Sequence, residues 1–542
     1  MKISQWMPLQ PFGYAALLAI TLAPAQVLPQ YPRRAPAAVG HKLADGQAYV
    51  TLVQLKHQAN AADNGRILLS FEENGMAGLP IYESSDEGAS WQFVTHAVDA
   101  THADHDRCNL HWQPNLTELP RTIGDLHAGT ILLSASTVCM GEKGRMASQH
   151  LQLYTSTDLG RSWQYRSTID EGTAELPVWE PNLQILDDGK FVTFYSSEKH
   201  KIDGYNQLLS HKVSTDAGKS WGAEVYDVAQ PGGVERPGMA VVDRLPDGGY
   251  VYTYEDVDGP IPNQVYMKFS RDGLHWGDPA DRGTPIQTEG GAYPINCPVV
   301  RWFPIGGPHG VLIVSARAAA GGGDSSGRSF YWNRNSGKGP WWEVPAPVQK
   351  LMNSRSGWTQ ALMLKRDGSI LHITSSASAD AVDNPSKNQI LFNSARLDFN
   401  RYEAEDAARQ GSALLRDASM SNGAKVRLGA NAIGRLSFQI YVEKAGTYVL
   451  AVRYSNIGFN STPRLFANHR ALTGSISVIK PDNSAAAARV GDLGTRGNGD
   501  RITLTATTPL KPGLNIIELG GGPYALDADY LEVTPPRCAI AA

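Results

Sequence analysis

The chain returns several times to one short pattern, and this recurrence limits its fold more than any other feature. The pattern S-x-D-x-G-x-S-W runs from Ser84 to Trp91, from Ser156 to Trp163 and from Ser214 to Trp221, with a shortened copy from Ser270 to Trp276. Successive copies start 72, 58 and 56 residues apart. Spacing of this length means stacked supersecondary units. Within each copy the chemistry is that of a tight turn. The aspartate side chain bonds the turn backbone, the glycine takes a positive φ, and the tryptophan packs beneath. The repeated aspartates are therefore read as structural, not catalytic.

A second repeat lies between the turns. Trp112-Gln113-Pro114-Asn115-Leu116 returns as Trp179-Glu180-Pro181-Asn182-Leu183, with weaker copies at Glu235 to Met239, Asn296 to Val300 and Gly357 to Ala361. Each precedes a strand, a turn and a second apolar strand, such as Phe191 to Ser196, Tyr250 to Tyr254 and Ile370 to Thr374. Tyr49 to Phe71 supplies a sixth unit without the proline. Six units of roughly 55 to 65 residues predict a six-bladed β-propeller over residues 40–395, with five or seven blades as alternatives. Radial closure also removes exposed strand edges. The turn pattern resembles the Asp-box (BNR repeat) of sialidase-like propellers.

Hydrophobic residues at 42% against charged residues at 19% suit a packed core, and 54 glycines with 33 prolines suit many turns. A net charge of −4 argues against nucleic acid as a partner. Residues 1–25 read as a signal peptide: Lys2, an apolar run from Tyr14 to Leu22, then Ala23-Pro24-Ala25. The expectation is a secreted protein, extracellular or periplasmic, without a membrane span and monomeric. Four cysteines (Cys108, Cys139, Cys297, Cys538) include no C-x-x-C pair. Cys108 and Cys139 could form a local disulfide, although the connectivity is open. His102, His105 and His111 lack helical metal-ligand spacing and read as loop residues.

A second domain is expected over residues 400–536, a β-sandwich of jelly-roll type built of short strands and glycine turns. Its Tyr402-Glu403-Ala404-Glu405-Asp406-Ala407 opening, its centre from Ala445 to Asn456 and its Leu526 to Val533 end resemble a family 35 carbohydrate-binding module. That resemblance implies a structural Ca²⁺ held by Glu403, Glu405 and Asp529. Clustered carboxylates are sensible ligands for a hard cation.

In a propeller, chemistry gathers where equivalent repeat positions meet at the axis. Glu180, between Trp179 and Pro181, is an odd place for a solvated charge and should be desolvated. Further strands end on Phe71-Glu72-Glu73, Ser197-Glu198, Tyr254-Glu255 and Ala316-Arg317. Glycoside hydrolysis needs two carboxyl groups, one protonated and one ionised. Glu180 and Glu255 are the pair selected, with Arg236 and Arg317 holding a carboxylate ionised or binding substrate. Trp112, Trp179, Glu198 and Trp358 complete the expected substrate contacts. Trp179-Glu180-Pro181, Tyr195 to Glu198, Arg236 to Met239 and Tyr252 to Glu255 together resemble glycoside hydrolase family 93.

The resemblance implies an exo-α-1,5-L-arabinanase that releases arabinobiose from plant arabinan with retention. Glu180 would be its nucleophile and Glu255 its acid/base, with no cofactor in catalysis. The family's active-site tyrosine, from a late blade, has no counterpart in Ser356 to Gln360, and Tyr293 or Tyr331 would take its place. Two other readings compete. A sialidase would need an arginine triad, for which only Arg236 and Arg317 offer themselves. The third is a glycan-binding protein without catalysis.

Overall fold

The computed structural model describes residues 39–534 except positions 76, 289, 335, 340, 396 and 512 and the segments 306–309, 398–400, 418–419, 421–423, 431–433, 443–444, 458–462, 473–476, 480–484 and 488–500. The expected signal peptide and Cys538 lie outside the described residues. Among the described residues the regular structure is β-strand, with only short 3-10 turns besides. No described helix is long and apolar enough to cross a membrane.

Residues 41–395 form six antiparallel sheets, numbered here in chain order by their first strands. These are Ala48–Gln54, Cys108–Glu118, Val178–Ile185, Arg236–Arg244, Val299–Phe303 and Gln360–Leu364. Within each sheet the strands pair mostly in chain order, as hairpins do. The first strands of successive sheets adjoin, and the sixth adjoins the first, so the row closes on itself. The early strand His41–Asp45 pairs with Gln389–Ala395 and completes the sixth sheet, covering an edge that would otherwise lie open.

The core follows from this order. Every residue of Phe191–Ser197 is buried, because both faces of its sheet are covered. Side chains alternate along a strand. Phe191 and Tyr195 therefore pack with Leu151 and Leu153 of the second sheet, while Val192 and Phe194 pack with Tyr252 of the fourth. The same division recurs around the closed row, giving one apolar cluster between each pair of neighbouring sheets.

The repeated turns join the third and fourth strands of the first three sheets. Asp86 accepts from the Ser90 N–H at 2.9 Å and the Ser84 hydroxyl at 2.8 Å, and Ser84 Oγ accepts from the Gly88 N–H at 2.9 Å. Asp158 and Asp216 repeat the arrangement. These bonds hold the Asp216 carboxyl well below its usual range. Gly218 sits at φ +78°, and a Cβ there would lie 2.5 Å from Leu153 Cδ2, so the turn docks closely against the neighbouring sheet. The turn aspartates are structural, as read from the sequence.

Residues 401–534 form two further sheets. One contains Gly446–Asn456, Arg501–Leu510 and Leu526–Thr534, and the other contains Arg435–Val442 and Gly513–Gly520. Leu450, Val452 and Leu531 of the first share one core with Leu436, Ile517 and Leu519 of the second.

Candidate active site

Each first strand of the closed row, or the segment just before it, carries a non-glycine residue in the left-handed region, and the fifth carries two in succession, Asn296 and Cys297. At equivalent positions stand Tyr49 (φ 52°), Gln113 (58°), Glu180 (64°), Met239 (57°), Cys297 (51°) and Thr359 (44°). In the first four sheets the strand register skips there, between Ala48 and Thr51, Trp112 and Asn115, Trp179 and Asn182, and Gly238 and Val241. These are bulges, which re-aim a side chain out of the strand's regular alternation. Each strained residue costs on the order of 1 kcal/mol or more. Hydrogen bonds from the preceding sheet offset the cost. Glu72 Oε1 accepts from the Gln113 N–H at 3.1 Å, and Gln113 Oε1 accepts from the Glu180 N–H at 3.0 Å. Glu180 Oε2 accepts from the Met239 N–H at 2.9 Å, and Glu255 Oε2 accepts from the Cys297 N–H at 2.6 Å.

This geometry corrects the alignment of the fourth repeat. By sequence Pro237 aligns with Pro181, but Met239 is the residue that corresponds to Glu180. Glu235 turns away into an ion pair with Arg282 at 2.6 Å.

Five of these six residues line one cavity of about 570 Å³, and Trp358 stands for the sixth sheet. Glu180 and Glu255 both face it, with Gly238 between them. A Cβ on Gly238 would lie 3.8 Å from Glu255 Oε1 and 3.8 Å from Ser196 Oγ, the hydroxyl that donates to Glu180 Oε2 at 2.9 Å. Burial raises the Glu180 pKa, opposed by donation from Tyr49, Ser196 and the Met239 N–H. Glu255 is pushed up to about 7, first by burial, against the Cys297 N–H, with the nearby Glu180 charge adding to the rise. Glu72, a third acid in the same cavity, is pushed up to about 8 by burial, against Arg355. The sequence reading noted Glu72 as a strand-end acid without selecting it.

The expected substrate contacts fall into two groups. Trp112, Trp179, Arg236, Arg317 and Trp358 line the cavity. The Trp112 and Trp179 rings are stacked with centroids 6.1 Å apart, a flat apolar face of the kind a sugar ring packs on. Glu198 is not among the lining residues. It accepts from Trp179 Nε1 at 3.0 Å and from Arg236 Nη2 at 2.9 Å, and so holds both in place. Arg355, which the sequence reading missed, is a third arginine on the cavity.

The tyrosine that stands against Glu180 comes from the first sheet. The Tyr49 hydroxyl donates to Glu180 Oε1 at 2.8 Å, whereas Tyr331 lies in the core between the fourth and fifth sheets and Tyr293 packs beside Gly321. Tyr49→Phe removes one of three donors to the charged form. A hydrogen bond to a charged group is worth about 1.5–3 kcal/mol, so the Glu180 pKa should rise by about one to two units. Infrared titration of the carboxyl band measures this, and an unmoved pKa would contradict the coupling.

Cys108 and Cys139 pair across neighbouring strands as a disulfide. His102, Cys139 and His150 lie together, but the sulfur is committed to that bond, and His102 Nδ1 bonds Asp99 at 2.6 Å. His111, expected in a loop, is instead on the first strand of the second sheet, where burial lowers its pKa to about 4. At the far end of the chain Glu405 and Asp529 are both buried on adjoining elements. The Glu403 side chain lies outside the described residues. Arg453 Nε stands 3.9 Å from Asp529 Oδ2.

No family model matches the chain, and no curated protein does. Solved structures do. An α-L-arabinanase of Penicillium chrysogenum, complexed with arabinobiose, is 27% identical with a TM-score of 0.55, over 67% of this chain and 99% of that one. The GH93 α-L-arabinofuranosidase of Fusarium graminearum, also with arabinobiose, is 24% identical with a TM-score of 0.54, over 66% of this chain and 98% of that one. The chain is thus similar in fold to arabinobiose-binding enzymes over about two thirds of its length.

Proposed function

We propose that this chain is a secreted, retaining glycoside hydrolase of the family 93 kind, an exo-acting α-1,5-L-arabinanase on a six-bladed β-propeller spanning residues 40–395. One observation carries the reading: two acids from neighbouring sheets, the part-buried Glu180 and the buried Glu255, line one cavity of about 570 Å³, the first held by three hydrogen bonds that favour its charge and the second pushed up to about 7 by burial. The three hydrogen bonds that favour the charged form of Glu180 support it as the nucleophile. A pKa pushed up to about 7 supports Glu255 as the group that protonates the departing oxygen and then activates water. The stacked tryptophans provide the platform for the sugar. The similarity to the Penicillium arabinanase supports arabinan as substrate.

Product analysis tests the reading. Linear arabinan should yield arabinobiose with retained anomeric configuration. Absence of product from arabinan and from a broad glycan panel would refute it. A sialidase reading draws support from the Tyr49–Glu180 pair and a third arginine on the cavity, and release of sialic acid from sialyllactose would decide for it.

Residues 400–536 are proposed as a carbohydrate-binding β-sandwich. Deleting residues 400–542 should weaken binding to insoluble polysaccharide and spare turnover of small substrates. Equal loss of both would make these sheets a buttress instead. Glu405 and Asp529 supply the buried oxygens that a structural Ca²⁺ requires, with Glu403 completing the set implied by the sequence. A chelator should lower the melting temperature and added Ca²⁺ should restore it. A melting curve indifferent to both would remove the ion. The protein is proposed to act as a monomer.

A further inference from the structure

One end of the second sheet gathers two cysteines and two histidines that the hydrolase reading does not use. Cys108 of the first strand stands opposite Cys139 of the second, and Cys139 opposite Ser148 of the third. His150 follows two residues after Ser148 and so lies on the same face. His102, from the segment before the sheet, brings Nε2 to 3.8 Å from Cys139 Sγ. One ring nitrogen of each histidine and that sulfur all lie within 4.8 Å of one another. A disulfide requires no imidazole beside it, yet each imidazole here is set by a carboxylate. His102 Nδ1 bonds Asp99 Oδ2 at 2.6 Å, and His150 Nδ1 stands 3.2 Å from Glu171 Oε2. The Asp99 carboxyl lies below its usual range, its burial outweighed by donors from Thr101, His102 and Tyr154. An ionised carboxylate only accepts, so the His102 proton sits on Nδ1 and Nε2 turns a lone pair toward the sulfur. A carboxylate behind a histidine is the arrangement that orients imidazoles toward a metal. His150 Nε2 lies 3.1 Å from the Ser148 hydroxyl, on the row of Cys139, and would exchange that contact. The His102 and His150 side chains are 34% and 20% exposed, so an ion can reach them.

We propose that, once the Cys108–Cys139 disulfide is reduced, Cys108, Cys139, His102 and His150 form a tetrahedral Zn²⁺ site. This end of the sheet is then fastened by a disulfide in an oxidising medium and by zinc in a reducing one. Thiolates with imidazoles suit Zn²⁺ better than a hard cation. With a phosphine as reductant, two electrons pass from phosphorus to the disulfide. The oxygen of one water goes to the phosphine oxide, and the two protons of that water complete the thiols. Zn²⁺ then displaces both thiol protons to solvent.

Metal uptake tests the site. The full chain, reduced with a water-soluble phosphine under argon and desalted, is titrated with Zn²⁺ and, separately, with Co²⁺, beside the oxidised chain. The reduced chain should take up one Zn²⁺ about 100-fold or more tightly than the oxidised chain. With Co²⁺ it should show the intense visible bands of a tetrahedral site and a thiolate-to-metal charge-transfer band. Zn²⁺ should raise the melting temperature of the reduced chain and leave that of the oxidised chain unmoved. His102→Ala and His150→Ala should each weaken uptake about tenfold or more, no less than the loss of an outer carboxylate costs. The comparison of reduced with oxidised chain does not depend on either variant folding. No uptake by the reduced chain, a cobalt spectrum without charge transfer, equal uptake by the oxidised chain, or unweakened uptake in either histidine variant overturns the site. Turnover is not among the readouts, so the result stands apart from the hydrolase reading.

Discussion

Glutamine in place of Glu180 abolishes turnover and leaves the protein folded. The carboxylate is held by the Tyr49 hydroxyl on one oxygen and by the Ser196 hydroxyl and the Met239 N–H on the other. An amide fits this setting. Its oxygen takes the position facing Ser196 and Met239, and its NH₂ faces Tyr49, whose hydroxyl oxygen can accept. The bulge is therefore kept while the nucleophilic charge is lost, and kcat should fall on the order of 10⁴-fold or more, as when an activated nucleophile is removed elsewhere. Stability moves the other way. Burial raises the folded-state pKa of Glu180 above its unfolded value. Its contribution is therefore fully present only below the unfolded pKa and is lost as pH rises through the folded one. The variant should be at least as stable as the parent at alkaline pH, with the difference closing in acid. Thermal unfolding across pH beside kcat on arabino-oligosaccharides measures both, and wild-type-like turnover would remove Glu180 from the mechanism.

Much of this arrangement could be read from the chain because it repeats. The turn motif returns with its own hydrogen bonds, and Glu180 stands out because a charge occupies a position that is otherwise uncharged in the repeat, Gln113 before it and Met239 after. The fourth repeat was set out of register because Pro237 imitates the proline of Trp-Glu-Pro, while the true marker is a bulge, a backbone state with no fixed residue type. Tyr49 was missed for a different reason. It precedes Glu180 by 131 residues and meets it only because the closed row brings the first and third sheets to face one cavity, a closure that no local pattern reports. Arg355 and Glu72 belong to the same closure, from the sixth and first units. Strand pattern therefore predicted which acids end strands, and only the ring of sheets decided which of them share one cavity.

Hydrolysis should fall above about pH 7, by about tenfold per pH unit, because Glu255 must carry a proton to assist the departing oxygen. Its pKa is pushed up to about 7 chiefly by burial, with the Glu180 charge adding to the rise. The acid stays protonated below that pH and loses its proton above it. Glu255→Gln should remove this basic limb and lower kcat/KM on arabino-oligosaccharides by about 10² to 10⁴-fold. With a dinitrophenyl leaving group, which departs without a proton, formation of the glycosyl-enzyme should recover most of the loss. Glu72 is the competing owner of the limb, since burial pushes it up to about 8 in the same cavity. The two separate cleanly. If Glu255 is the acid, the limb near pH 7 persists in Glu72→Gln and vanishes in Glu255→Gln. A limb that follows Glu72, or a Glu255→Gln enzyme equally slow on both kinds of leaving group, would transfer the proton to another residue and leave Glu255 as a hydrogen-bond acceptor that pins the left-handed backbone at Cys297.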